Sequence, residues 1–343
     1  MRQALLVRTQ GFQMIDVPVP VPGDDQALIA VRTIGVCGSD IHAFHGKHPF
    51  VHAPIVMGHE ASGEVVALGK SVKNLRVGDR VVLRPQQVCG RCRPCREGRY
   101  NVCETLKVIG CQCTGAYSEC FAADAHLFTK MPEQLSFDEG ALVEPLAVGV
   151  HAIKRGLAQV EGKNILVIGA GTIGNLLAQA AKAMGADSVM ITDISDHKLT
   201  LAEEVGIDYP IHVGKSSLEQ AIRDAFGEDG PDAVYECSAS PRALNQVLDI
   251  VGKGTPIVIV GVYAGLPAIN IANVQDREYS LIGTLMYVQD DYEDSLRFLA
   301  DGRIKTAPLI SRTFGLEQIQ EAYEYIDAGK DGVQKVLIQL AEE

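Results

Sequence analysis

The sequence predicts an α/β chain: a β-rich N-terminal unit followed by a doubly wound parallel sheet. Three observations carry this. Up to about residue 150 the apolar residues fall in short β-branched runs punctuated by Gly, Pro and Asp. From about 151, strand-length apolar runs alternate with helical stretches, the pattern of a parallel sheet covered on both faces. The length of 343 residues suits about two domains.

In the first unit, 27–31, 63–68 and 80–83 read as strands, and Val77-Gly78-Asp79 as a turn feeding the third. In the second, 164–168 is a buried-strand run and 172–184 the helix after it. Strand 188–192, helix 197–205, a weak strand at 209–213 and helix 217–226 continue the series. Strand 232–236, helix 241–251, strand 256–260 and a last strand at 280–285 complete it. The tail holds helices at 291–301 and 316–328 and a strand at 335–339, too little for a core of its own. It is expected to pack back on the N-terminal unit. The expected domains are therefore 1–150, completed by about 287–343, and 151–286.

Apolar residues make up 47% of the chain and charged residues 22%, an ordinary globular balance. The net charge of −12, scattered along the chain, argues against nucleic acid or an anionic membrane surface as a partner. No stretch reaches the roughly 18 uncharged apolar residues of a spanning helix. The apolar run Ala4-Leu5-Leu6-Val7 is too short for a signal-peptide core. The expected location is the cytoplasm. There, nine cysteines are better explained by metal binding than by disulfides.

Gly169-Ala170-Gly171-Thr172-Ile173-Gly174 lies between a strand and a helix, the context a dinucleotide turn requires. Gly169 allows the tight turn, Gly171 lets a pyrophosphate approach the backbone, and Gly174 lets helix and strand pack closely. The N–H groups of the helix start, at Thr172 and Ile173, face the phosphates. Asp193, 19 residues past Gly174, is placed to accept hydrogen bonds from the adenosine ribose. A carboxylate there repels a 2′-phosphate, so NAD is expected over NADP. Lys198 is a candidate contact at the adenosine end, or a helix-surface lysine with no specific task.

Cys89, Cys92, Cys95 and Cys103, spaced x2-x2-x7, suit a tetrahedral structural zinc with no open position. Such an ion contributes on the order of 10 kcal/mol to folding, comparable with the about 5–15 kcal/mol net stability of a whole domain. Cys37, His59, Glu60 and Glu144 are dispersed. Together they offer one thiolate, one imidazole and one or two carboxylates, a catalytic zinc set with an open position. One thiolate and one carboxylate already neutralise the ion. One glutamate is therefore expected to bind zinc while the other orients water or exchanges with it. Cys111, Cys113, Cys120 and Cys237 read as packing residues.

With Cys37-Gly38-Ser39-Asp40-x-His42, Gly58-His59-Glu60-x2-Gly63-x5-Gly69, the four-cysteine loop and Glu144-Pro145, the chain resembles the zinc-containing medium-chain dehydrogenases over essentially its full length. The resemblance is closest to the polyol branch, which includes sorbitol, threonine, butanediol and sugar-acid dehydrogenases and carries Glu at the position of Glu144. It implies a GroES-like catalytic domain, a Rossmann NAD-binding domain, one catalytic and one structural zinc per subunit, and homodimers or homotetramers built through 256–263 and 279–287. It also implies that Ser39 and His42 relay the substrate proton. The substrate class implied is a secondary alcohol on a sugar alcohol or sugar acid, with 2,3-butanediol or L-threonine as alternatives. Asp290-Asp291-Tyr292-Glu293 resembles the butanediol branch. Thr114–Cys120 departs from the family's usual run there, and Met286 stands where sorbitol dehydrogenase has an Arg. His45, Lys47 and His48 form a candidate pocket-lining loop, or a solvated one. A zinc- and NAD-binding sensor without catalysis is the remaining alternative, and the retained Cys37, Ser39, His42, His59, Glu60 and Glu144 weigh against it.

Overall fold

The computed structural model describes residues 1–263, 265–329 and 332–340. The chain divides into Met1–Glu144 together with the segment from Ile310, and Pro145–Leu309.

The first unit is built round one long strand, Gln26–Gly35, whose β-branched and apolar residues are buried over most of its length. One edge pairs antiparallel with Glu60–Leu68. The other is shared by Cys120–Asp124, against its first half, and Lys335–Gln339, against its last three residues. The sheet extends through Arg80–Leu83 to Phe128–Lys130, and through Lys335–Gln339 to Ile310–Gly315. Ile29, Val31, Ile34, Val65, Val81, Phe121, Phe128 and Ile338 form its core. Gly63 lies opposite Val31 across the strand pair, where a Cβ would press into the carbonyl of Ala30. The four-cysteine loop hangs from a small ribbon in which Gln86–Gln87 pairs with Lys107–Val108.

The second unit is a six-stranded parallel sheet. Its order is Tyr209–His212, Ser188–Asp193, Asn164–Ile168, Ala233–Glu236, Pro256–Ile259 and Ser280–Gly283, that is 3-2-1-4-5-6 in chain order. This is the Rossmann arrangement. The central strand is buried on both faces, which explains its continuous apolar run. Ser195, Ser217 and Ser240 each cap a helix by accepting a backbone N–H three residues on.

Residues 287–309, expected to complete the N-terminal unit, lie in the second. The reason is a polar knot. The helix Gln289–Ala300 buries Asp291, which accepts from His151 at 2.7 Å and from Lys154 at 2.8 Å. Tyr287 stacks on Tyr292, and Gln179 bonds both polar groups of the Lys305 backbone. None of these long-range partners has a local sequence signature. Among the described residues no helix is long and apolar enough to cross a membrane.

Gly63→Val is expected to destabilise the first unit by about 1–3 kcal/mol or more through overpacking against the Ala30 backbone. Chemical denaturation of the two proteins checks this.

Candidate active site

Two clusters of metal-binding side chains stand in the first unit. In the first, the sulfurs of Cys89, Cys92, Cys95 and Cys103 all lie within 4.8 Å of one another, with Cys89–Cys95 at 4.0 Å and Cys92–Cys103 at 3.9 Å. Four sulfurs about 2.3 Å from one zinc sit roughly 3.8 Å apart, so the set fits the ion. The backbone N–H groups of Arg91 and Cys92 draw the Cys89 thiol down to about 6. Desolvation and the neighbouring thiols push Cys95 up to about 12. Four thiolates this close need a cation to coexist. Two of the loop's arginines bond elsewhere: Arg93 pairs with Glu97, and Arg96 donates to the Arg91 carbonyl.

In the second cluster, ligand atoms of Cys37, His59 and Glu60 lie within 4.8 Å of one another. Cys37 lies two residues past the central strand, at the N-cap position of the helix Gly38–Phe44. Its N–H donates to Asp40 at 3.0 Å. The other Asp40 oxygen lies 3.5 Å from His59 Nδ1, at the limit of hydrogen bonding. Both residues are buried. Burial works against a charged His59, but the charge and hydrogen bonding of Asp40 and Cys37 prevail and raise its pKa well above the ordinary value. In a metal site the same geometry is the carboxylate–histidine support that orients the ring.

Glu60 sits opposite Gly35 in the strand pair, and only a glycine leaves room for its carboxylate there. Lys335, from the far end of the chain, reaches both of its oxygens at 2.7 and 2.9 Å and the Val36 carbonyl at 3.1 Å. Desolvation opposes the Lys335 charge, but Glu60 and Cys37 outweigh it and raise its pKa. Glu144, in the first turn of the helix Val143–Gly156, is buried but outside the tight group. Its charge is felt at both Lys335 and Cys111.

Asp40 and Lys335 escaped the sequence reading. Asp40 lay inside a quoted motif, and its spacing as a helix-capping residue was an available signal. Lys335 had none. Ser39 and His42 share the helix with Asp40, Ser39 half-buried and His42 exposed. In the neighbouring loop, His45 is tied to Asp327 at 2.9 Å and Gln10 at 3.0 Å, Lys47 is exposed, and burial lowers the pKa of the half-buried His48. Cys111 is buried, its thiol pushed up to about 12 by desolvation, and Cys113 bonds Gln87.

In the second unit the strand Asn164–Ile168 runs into Gly169 at φ +99°, and Gly171 opens the helix Thr172–Ala183. A Cβ on Gly174 would collide with the Gly169 carbonyl. Asn175 braces the turn, donating to Ala170 O at 2.6 Å, a contact the motif alone did not reveal. Asp193 ends the second strand. One of its oxygens accepts from Ala170 N at 2.8 Å, the other from Ile194 N and Ser195 N at 2.8 and 3.0 Å. The oxygen bonded to Ala170 N keeps lone-pair capacity for a ribose hydroxyl, and the other has both lone pairs engaged. Lys198 lies in the first turn of the helix Asp196–Glu204.

Residues 23–133 match the alcohol dehydrogenase GroES-like domain and residues 172–301 the zinc-binding dehydrogenase domain. Sorbitol dehydrogenase of Bacillus subtilis is 33% identical over 98% of this chain and 97% of its own. The chain belongs to the zinc-containing medium-chain alcohol dehydrogenase family. Among solved structures, an oxidoreductase/dehydrogenase of unknown specificity from Escherichia coli superposes with a TM-score of 0.94, 31% identity and 99% coverage of both chains. An alcohol dehydrogenase from Escherichia coli CFT073, solved with NADH, gives 0.91, 27% and 99% of both. The chain thus carries a four-cysteine group, a Cys-His-Glu group and a Rossmann-type sheet with a glycine turn.

Lys335→Met is expected to cost the dehydrogenase about 3–5 kcal/mol, because it leaves the buried Glu60 charge unpaired. Adding Glu60→Gln should recover part of that loss in denaturant unfolding. Cys103→Ser is expected to remove one zinc per chain and to raise hydrogen exchange across 89–103, read by metal analysis and mass spectrometry.

Proposed function

We propose that the dehydrogenase oxidises a secondary alcohol on a sugar alcohol or sugar acid, with NAD as the hydride acceptor. The observation that carries this reading is the Cys37-His59-Glu60 group: three converging donors that leave a fourth position for a substrate hydroxyl. When bound, zinc supplies Lewis acidity to that hydroxyl and the nicotinamide takes the hydride.

The chain's own residues do the rest. Cys37 and His59 hold the metal, and Asp40 keeps the His59 ring in place. Glu60 and Glu144 divide the carboxylate work, one as ligand and the other orienting water. Lys335 offsets the charge of Glu60. Ser39, half-buried on the helix after Cys37, would accept the hydroxyl proton, with His42 exposed on the same helix as the outlet to solvent. Asp193 accepts from the adenosine ribose, which favours NAD over NADP. The N–H groups of Gly171, Thr172 and Ile173 receive the pyrophosphate with Gly169 and Gly174 shaping the turn, and Lys198 stands at the adenosine end.

We further propose a homodimer or homotetramer through the last strand of the parallel sheet. Ser280–Gly283 is paired on one edge only, and Val262, Leu266, Leu281 and Leu285 are exposed around it. Nine free thiols suit the reducing cytoplasm.

The test is NADH formation from NAD⁺ with a panel of polyols, aldonates, 2,3-butanediol and threonine. Turnover is expected on polyols or aldonates and is expected to vanish with a zinc chelator. Silence across the panel with zinc fully loaded would sink the reading in favour of a non-catalytic sensor. Glu144→Ala is expected to lower kcat by at least about tenfold; full turnover with full zinc refutes its role. Asp193→Ala is expected to lower the NAD-to-NADP ratio of kcat/KM by about tenfold or more.

A further inference from the structure

One buried carboxylate is used by neither the metal groups nor the glycine turn. Glu236 ends the fourth strand of the parallel sheet and is fully buried. One of its oxygens accepts from Ser238 N at 2.8 Å and from Ser238 Oγ at 2.5 Å, and the other accepts from Ala239 N at 3.2 Å. Its backbone carbonyl accepts from Val260 N at 2.9 Å and Gly261 N at 2.8 Å, at the end of the fifth strand. One residue thus fastens both loops that leave the carboxyl ends of strands four and five.

Those loops are held in a tight and strained arrangement. Ala239 has φ +53°, a left-handed conformation that costs a non-glycine residue about 1–2 kcal/mol. A Cβ on Gly261 would come within 2.5 Å of Ala239 N and 2.9 Å of the Glu236 carboxylate. A Cβ on Gly169 would come within 3.0 Å of Ser238, so the residue that Glu236 grips lies directly against the dinucleotide turn. Backbone strain of this kind persists where surrounding bonds over-determine it, and it gathers at functional sites.

In a sheet of order 3-2-1-4-5-6 a dinucleotide lies across the carboxyl ends of the strands, one mononucleotide over each half. Asp193, on strand two, marks the adenosine half. Strands four and five belong to the other. We propose that Glu236 is a positioning residue for the nicotinamide half of the cofactor, acting through Ser238, Ala239 and Gly261. The proposal rests on the dinucleotide reading above. The carboxylate holds the two loops in the one shape that receives the nicotinamide ribose and ring, and the adenosine half is indifferent to it.

Calorimetric titration of wild type, Glu236→Gln and Ser238→Ala with NADH, and separately with ADP, tests this. Wild type is expected to bind both. Glu236→Gln is expected to bind NADH about tenfold more weakly, the worth of about one charge-assisted hydrogen bond, with ADP affinity within about twofold of wild type. Ser238→Ala, which removes a single bond, should move the NADH-to-ADP ratio in the same direction by less. If Glu236→Gln fails to fold, the ratio in Ser238→Ala decides alone. Unchanged NADH affinity overturns the proposal, as does an equal loss for NADH and ADP, which marks a general scaffold. A wild type that binds neither ligand overturns the dinucleotide reading itself.

Discussion

A shortage of positive charge in a buried place governs the first unit. Cys37, Asp40 and Glu60 converge around His59, and Asp40, His59 and Glu60 are almost fully shielded from water. Buried acidic groups of this density are costly unless a cation joins them. The chain supplies one of its own, Lys335, bonded to both Glu60 oxygens. The remaining donors, the Cys37 thiol, the His59 imidazole and the Glu60 carboxylate, lie close enough together to share one further cation. A divalent metal answers that demand, and the four-cysteine loop poses the same problem with sulfur.

The strand pairings exist to meet this constraint. Gln26–Gly35 brings Cys37 to the end of one strand while its partner delivers His59 and Glu60 at the start of the next. Gly35 makes room for the carboxylate, and Lys335–Gln339 pairs on the opposite edge so that its first residue reaches the same point. The strand Lys335–Gln339 therefore helps to build the Cys37-His59-Glu60 group although Lys335 lies 275 residues from Glu60 in sequence.

The second unit solves a different problem with mostly neutral groups. Its glycine turn closes the carboxyl end of the first strand, with Asp193 accepting from Ala170 N on one side and Ser238, which Glu236 holds, lying against Gly169 on the other. Asp193 ties Ala170 to the loop after strand two, and Glu236 ties the loops after strands four and five. Both carboxylates accept from backbone N–H groups of the loops they join.

What the sequence by itself determined were the features whose chemistry is local. The cysteine spacing, the glycine turn, Asp193 at the end of strand two, the alternation of strands and helices and the Cys-Gly-Ser-Asp and Gly-His-Glu motifs all depend on neighbours a few residues away. Tertiary structure alone decided the pairing of Glu60 with Lys335, the placement of Glu144 outside the tight group, the support of His59 by Asp40, and the docking of 287–309 on the second unit through Asp291 and His151. The physical reason is that burial turns these charges from solvated surface groups into obligatory partners. Which partner each one finds is set by strand register and helix packing across long stretches of chain, where no residue type or spacing announces it.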